Sequence, residues 1–188
     1  GSVKSGRAAV IGGQNNDLDT AAASSAITAG SSNYINLPSS GIVGGAENRI
    51  ERDDLIGGSE GQCFIGGGEQ NIVIDGRSSA IIGGMKNRID SSRFNTIING
   101  ESNLISASYA SIIGGKANEV AGSGSSILGS DSSTVQAEYS SIGGGRNNRV
   151  LTDFSVISGG VNQLGGGVAS FIGGGVQNET EGISSAVI

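Results

Sequence analysis

One short phrase recurs along the whole chain: Ser-x-Ile-x-Gly-Gly-x-x-Asn-x-Ile, then a variable connector, written clearly at Ser140–Val150 and again at Ser170–Thr180. A fixed short period constrains folding strongly, because each copy is too small to bury its own apolar side chains and must stack on its neighbours. Counted from the Asn as position zero, the copies centre on Asn16, Asn33, Asn48, Gly61, Asn71, Asn87, Asn103, Asn118, Ser133, Asn148, Gln163 and Asn178. A further copy opens at Ser185-Ala186-Val187-Ile188. From Asn103 onward the spacing is a constant fifteen, whereas earlier it varies between ten and seventeen. This predicts one array of about twelve coils over residues 1–188 rather than several domains.

Two aliphatic columns set the fold class. Six residues before zero stand Val10, Ile27, Ile42, Leu55, Ile65, Ile81, Ile97, Ile112, Ile127, Ile142, Ile157, Ile172 and Val187, with no polar exception. Two after zero stand Leu18, Ile35, Ile50, Cys63, Val73, Ile89, Ile105, Val120, Val135 and Val150, relaxing only at Gly165 and Thr180. β-branched residues in such columns favour strands, and no stretch carries a 3.6-residue apolar stripe. The expectation is an all-β parallel β-solenoid, or β-roll, of ~15-residue repeats with two short strands per coil.

Between the columns sit paired glycines. Three before zero the residue is Gly everywhere except Ser130, and four before zero it is Gly except at Ala29 and Asn99. A Gly pair between short strands marks a tight reversal that needs positive φ or close backbone approach. Asn at zero is placed to bond the turn backbone, and stacked Asn side chains would form a ladder.

Strand alternation then assigns faces. If minus six points inward, minus five points out. Yet that outward column holds Ile11, Val43, Ile56, Ile82, Ile98, Ile113, Leu128 and Ile188, with Gly at several other positions. The outward column of the second strand is mostly polar, with Asp17, Tyr34, Arg49, Gln62, Arg88, Glu119, Thr134, Arg149 and Glu179 interrupted by Ile72, Leu104 and Leu164. One face is therefore wet, and the other carries a hydrophobic row that asks for cover. The same row from identical chains around a shared axis is the economical cover, which makes a homo-oligomer of two or three chains. Three close such an axis comfortably.

Phe94, Tyr109, Tyr139 and Phe154 all fall nine before zero, four of the seven aromatics in one column. Such a row either packs along one edge of the coil or offers a surface to a sugar.

The chemistry of enzymes is sparse here. There is no His, one Cys and one Pro, and the carboxylates are dispersed apart from Glu51, Asp53 and Asp54. These residues predict no catalytic set, no metal site and no cofactor. Gly66-Gly67-Gly68 has neither the Lys of a phosphate loop nor a following helix signal. A net charge of -6 with Lys and Arg scattered singly leaves nucleic-acid binding without a basis. No apolar run is long enough to span a bilayer. Cys63 reads as a small buried hydrophobe shared by two coils where the spacing contracts to ten. The opening Gly1-Ser2 reads as a tag remnant, and the break in mid-repeat at Val187-Ile188 reads as excision from a longer fibre.

Ser79-Ala80-Ile81-Ile82-Gly83, Ser25-Ala26-Ile27 and Ser185-Ala186-Val187-Ile188 give the chain a resemblance to the head domains of trimeric autotransporter adhesins. Related trimeric bacterial, phage and viral fibres share that architecture. The resemblance implies a left-handed parallel β-roll, a homotrimer packed through its inner strands, and an extracellular place on a cell or virion surface. It also implies attachment to a host glycan or protein. The other class of function open to such a chain is a stand-alone binding solenoid for polysaccharide or ice.

Overall fold

The computed structural model describes residues 1–52 and 61–188. The chain is an all-β parallel β-solenoid of about twelve turns with two short strands per coil. It divides into two compact units, Gly1–Asn99 and Gly100–Ile188.

In the first unit the first strands of successive coils are Ala9–Val10, Ala26–Ile27, Gly41–Ile42, Phe64–Ile65, Ala80–Ile81 and Thr96–Ile97. They pair in parallel with each aliphatic residue opposite its equivalent, as in Ile27↔Ile42 and Ile65↔Ile81. The second strands are Ser2–Val3, Asp17–Leu18, Tyr34–Ile35, Arg49–Glu51, Ile72–Ile74 and Arg88–Asp90, also parallel and in register. Ser2 thus sits in a strand, opposite Asp17.

The second unit repeats the plan. Its first strands are Ser111–Ile112, Ser126–Ile127, Ser141–Ile142, Val156–Ile157, Phe171–Ile172 and Ala186–Val187. Its second strands are Leu104–Ile105, Glu119–Val120, Thr134–Val135, Arg149–Val150, Leu164–Gly165 and Glu179–Thr180. A third small parallel sheet joins Gly115–Lys116, Ser130–Asp131 and Gly145–Arg146 on the turn between the two strands. Repetition of identical backbone at a fixed pitch brings even turn residues into a ladder.

Both aliphatic columns are the core. Ile27, Ile65, Ile81, Ile97, Ile112, Ile127, Ile142, Ile157 and Ile172 are fully buried, as are Leu18, Ile35, Ile50, Val73, Ile89, Ile105, Val120, Val135 and Val150. Each such side chain contributes about 1.5–3 kcal/mol through removal of apolar surface from water.

The predicted Asn ladder forms, and it is buried from Asn16 to Gln163. Asn33 donates its backbone N–H and its Nδ2 to Asn16 Oδ1, each at 3.1 Å. Asn16 Nδ2 donates to Gly12 O at 2.9 Å in its own coil and to Gly30 O at 3.0 Å in the next. The pattern continues through Asn48, Asn71 and Asn87, and again from Asn103 to Asn118. Gln163 keeps the relay with a longer arm, accepting from Asn178 N at Oε1. No buried side-chain polar atom lacks a partner among the described residues.

The glycine at minus three has two reasons to be there. Gly13 adopts a φ of +89°, and a Cβ on it would stand 2.0 Å from Gly30 O and 2.6 Å from Asn16 Nδ2. Positive φ recurs at minus one, where Ser32, Glu47, Gln70, Lys86 and Asn147 adopt it, and at minus nine.

A second polar ladder runs eight before zero, on the phrase's opening Ser. Ser40 N donates to Ser25 Oγ at 3.0 Å, and Ser25 Oγ donates to Leu37 O. Ser140, Ser155 and Ser170 repeat the first of these bonds, each N–H reaching the hydroxyl of the preceding coil.

One expectation is corrected. The copy centred on Gly61 adds no rung among the described residues: Ile42 pairs directly with Ile65, and Ile50 pairs directly with Val73. A spacing of ten from Gly61 to Asn71 is too short to hold a turn, a connector and two strands, so the described ladder passes from Ile42 to Ile65 and from Ile50 to Val73. Cys63 accordingly stands not in the second-strand column but in the Ser column, where its N–H donates to Ser40 Oγ at 3.2 Å. It is buried, as expected of a small hydrophobe. Leu55, Asp53 and Asp54 lie outside the described residues.

Candidate functional site

The outward aliphatic column stands in water as the alternation required. In the first unit Ile11, Val43, Ile82 and Ile98 are exposed, with Phe64 beside them on the same sheet. In the second unit Ile113 and Leu128 are 46% and 49% exposed, and Val156 and Phe171 continue the apolar surface. Their immediate neighbours Ile112 and Ile127 are at 0%, so adjacent residues of one strand face opposite environments. Ile56 lies outside the described residues.

The aromatic column is also exposed, and its backbone is unusual. Phe94, Tyr109, Tyr139 and Phe154 adopt φ of +59°, +59°, +51° and +60°. Bulky side chains seldom occupy this left-handed region. In the second unit Tyr139 and Phe154 lie parallel, with ring centroids 5.6 Å apart and planes within 7°. A Cβ on Gly124 would meet the Tyr139 ring at 2.8 Å, so that ring also covers the Gly124 backbone. Both rings nevertheless stay largely exposed, Tyr139 at 61% and Phe154 at 60%.

The second-strand face is polar and carries ordered ion pairs. Lys4 Nζ lies 3.6 Å from Asp17 and 3.7 Å from Asp19. Tyr34 Oη donates to Asp19 Oδ2 at 3.0 Å, and the Arg49 guanidinium lies 5.3 Å from the centre of the Tyr34 ring. Partial burial, reinforced by the bond to Asp19, pushes the Tyr34 hydroxyl up to about 12. The bond from Thr20 N, followed by that from Tyr34, holds the Asp19 carboxyl below its ordinary value.

On this face, within the first unit, a groove of about 650 Å³ opens over Ile72. The register sets Ile72 opposite Arg49 on one side and Arg88 on the other. Lys86, Gln70 and Glu47 form the facing wall from the turn positions one residue before zero. Arg49 bonds Glu51 at 2.7 Å and Arg88 bonds Asp90 at 2.7 Å, and neither carboxylate lines the groove. Gln70 Nε2 donates to Glu47 at 2.8 Å. Sequence alone scatters these cations, because the frame at Gly61 puts Gln62 between Arg49 and Ile72. The signal was the alternation of Arg, Ile and Arg in the outward column once that frame is removed.

Among the described residues no group of three or more His, Cys, Asp or Glu is placed to hold a metal ion. Among the same residues no helix is long and apolar enough to cross a membrane. In comparisons with known proteins, no family model and no curated protein matches this chain.

Proposed function

We propose that the chain is a structural and adhesive segment of a homotrimeric fibre on a cell or virion surface, attaching it to a host or target cell without catalysis. The observation that carries this reading is the exposed aliphatic row on the first-strand face, represented by Ile82 and Ile98 in one unit and Ile113 and Leu128 in the other. The interior beneath it is fully satisfied, with a packed aliphatic core and bonded polar ladders. Among the described residues the core is packed without that outer row, and exposed apolar surface of this kind marks association. Equivalent rows from identical chains meet around a closed axis. The resemblance of Ser79-Ala80-Ile81-Ile82-Gly83 to trimeric adhesin heads supports three chains and the surface setting.

Mass in solution tests it. Sedimentation or light scattering on the purified chain gives three times 18.6 kDa under this reading. A mass of 18.6 kDa across the accessible concentration range overturns it and leaves the stand-alone binding solenoid.

A further inference from the structure

We infer that the groove over Ile72 binds an anionic saccharide, its carboxylate or sulfate held by Lys86 with the Arg49 and Arg88 guanidiniums and its ring seated on the Ile72 side chain. The first ground is charge. The chain as a whole carries a net charge of -6, yet among the described residues three cations and a single carboxylate, Glu47, line this groove. Glu47 is engaged by Gln70, while Arg49 and Arg88 are held in place by Glu51 and Asp90 from outside the lining. A guanidinium has five N–H donors, so the Nε bond from Arg88 to Asp90 leaves others for a ligand. Lys86 makes no ion pair among the described residues, and it projects from an exposed turn.

The second ground is shape and chemistry. A volume of about 650 Å³ suits a small ligand. Arg49, Ile72 and Arg88 lie on three adjacent coils, so the outer two are about 10 Å apart, the reach of a short oligosaccharide rather than of a duplex. Three cations without continuation along the face give no track for a nucleic-acid backbone. Strand addition by a peptide is closed as well, because the Ile72–Ile74 strand has a paired neighbour on each side. What is left for recognition is side chains: an apolar floor, the Ser32 hydroxyl, the Gln70 amide and the cations. That combination matches a sugar ring bearing an acidic group.

This inference deepens the adhesive part of the proposed function and rests on it only for its biological setting. Calorimetric titration of the purified chain uses three probes: a sulfated tetrasaccharide, an unsulfated hexuronate tetrasaccharide and a neutral hexose tetrasaccharide. The Lys86→Gln/Arg88→Gln double variant is compared with Lys116→Gln/Arg146→Gln, which removes equal charge from a different surface of the second unit. Circular dichroism establishes that both remain folded. The expected result is binding of at least one anionic probe, weakened about tenfold or more by the groove variant and less than about twofold by the control, and weakened by added salt. The arm that binds distinguishes sulfate from carboxylate. Equal binding of the neutral probe, equal loss in both double variants, or no binding of either anionic probe overturns the inference. A trimer by mass that binds neither anionic probe sinks this inference and leaves the fibre standing, and a monomer that binds one does the reverse.

Discussion

The hydroxyl of Ser130 donates to Asn118 Oδ1 at 2.8 Å, taking the place that an Asn amide nitrogen takes in neighbouring coils. Ser130 breaks the glycine column, and Ser133, three residues on, breaks the Asn column of the same coil. The two exceptions are linked by space. In an ordinary coil a Cβ at minus three would stand 2.6–2.7 Å from the Asn Nδ2, as at Gly115 and Gly145. A short side chain at 133 removes that amide, and the hydroxyl at 130 restores its bond. Ser133→Asn alone is therefore expected to destabilise the chain by about 1–3 kcal/mol through crowding and a displaced hydrogen bond. Ser130→Gly/Ser133→Asn restores the ordinary pair and recovers most of the loss. Denaturant unfolding of the two singles and the double measures the coupling, and additive effects would refute the link.

Ile127 and Leu128 are consecutive, one fully buried and the other half exposed. Ile127→Ala opens a cavity between stacked coils and costs about 2–5 kcal/mol. Leu128→Lys leaves the stability of a single chain within about 0.5 kcal/mol but lowers the solution mass, because it places a charge on the proposed contact row. Chemical denaturation and light scattering on both variants separate the two roles. A Leu128→Lys variant with unchanged mass would remove Leu128 from any contact.

Gly165 occupies a core column that is otherwise aliphatic, with Thr180 after it. Its φ is not positive, and a Cβ there would meet Arg149 O, Val150 Cγ2 and Ile157 Cδ1 at 3.7, 3.7 and 3.8 Å. Room and backbone both admit a side chain. Gly165→Ala is expected to raise stability by about 0.5–1 kcal/mol, read as a shift of the denaturant midpoint. A lower midpoint would show that the strand needs glycine.

The Tyr34–Asp19 bond predicts a pH signature. Because the folded-state value of Tyr34 is raised to about 12, its protonated form stabilises the fold fully below the unfolded value of about 10, and that contribution is lost as pH rises from there toward 12. Asp19 behaves oppositely: with its value lowered in the folded state, its contribution is present above the ordinary carboxylate range and lost as pH falls through the folded value. Phenolate absorbance is expected to show one of the three tyrosines ionising late. Tyr34→Phe should abolish that late step, and a late step that survives the substitution refutes the assignment.

Much of this fold is legible in the chain because a one-dimensional stack converts sequence period directly into spatial neighbours. The columns at Ile27 and Ile35 needed only strand alternation, and the Asn16–Asn33 ladder needed only the period. The frame at Gly61 failed because it rests on the letters Gly57-Gly58 while a spacing of only ten to Asn71 leaves too few residues for a coil. That error also hid the groove, since Arg49 and Ile72 become neighbours only across a separation of 23 residues, as their ladder residues Asn48 and Asn71 do. The Ser25–Ser40 ladder was visible as a recurring letter, yet burial of a hydroxyl follows from backbone geometry that a periodic pattern does not encode.

The Asn ladder has a consequence for how such a chain tolerates change. Asn118 Oδ1 is filled by the coil after it, and its Nδ2 spans its own turn and the next, so the bonds of a lesion at Asn118 reach the coils of Asn103 and Ser133 and no further. Injury is felt by nearest neighbours alone, as in a row of links rather than a woven mesh. The surface residues of a coil are therefore free to vary one coil at a time, and new specificities can arise in one stretch while the rest of the row keeps its form.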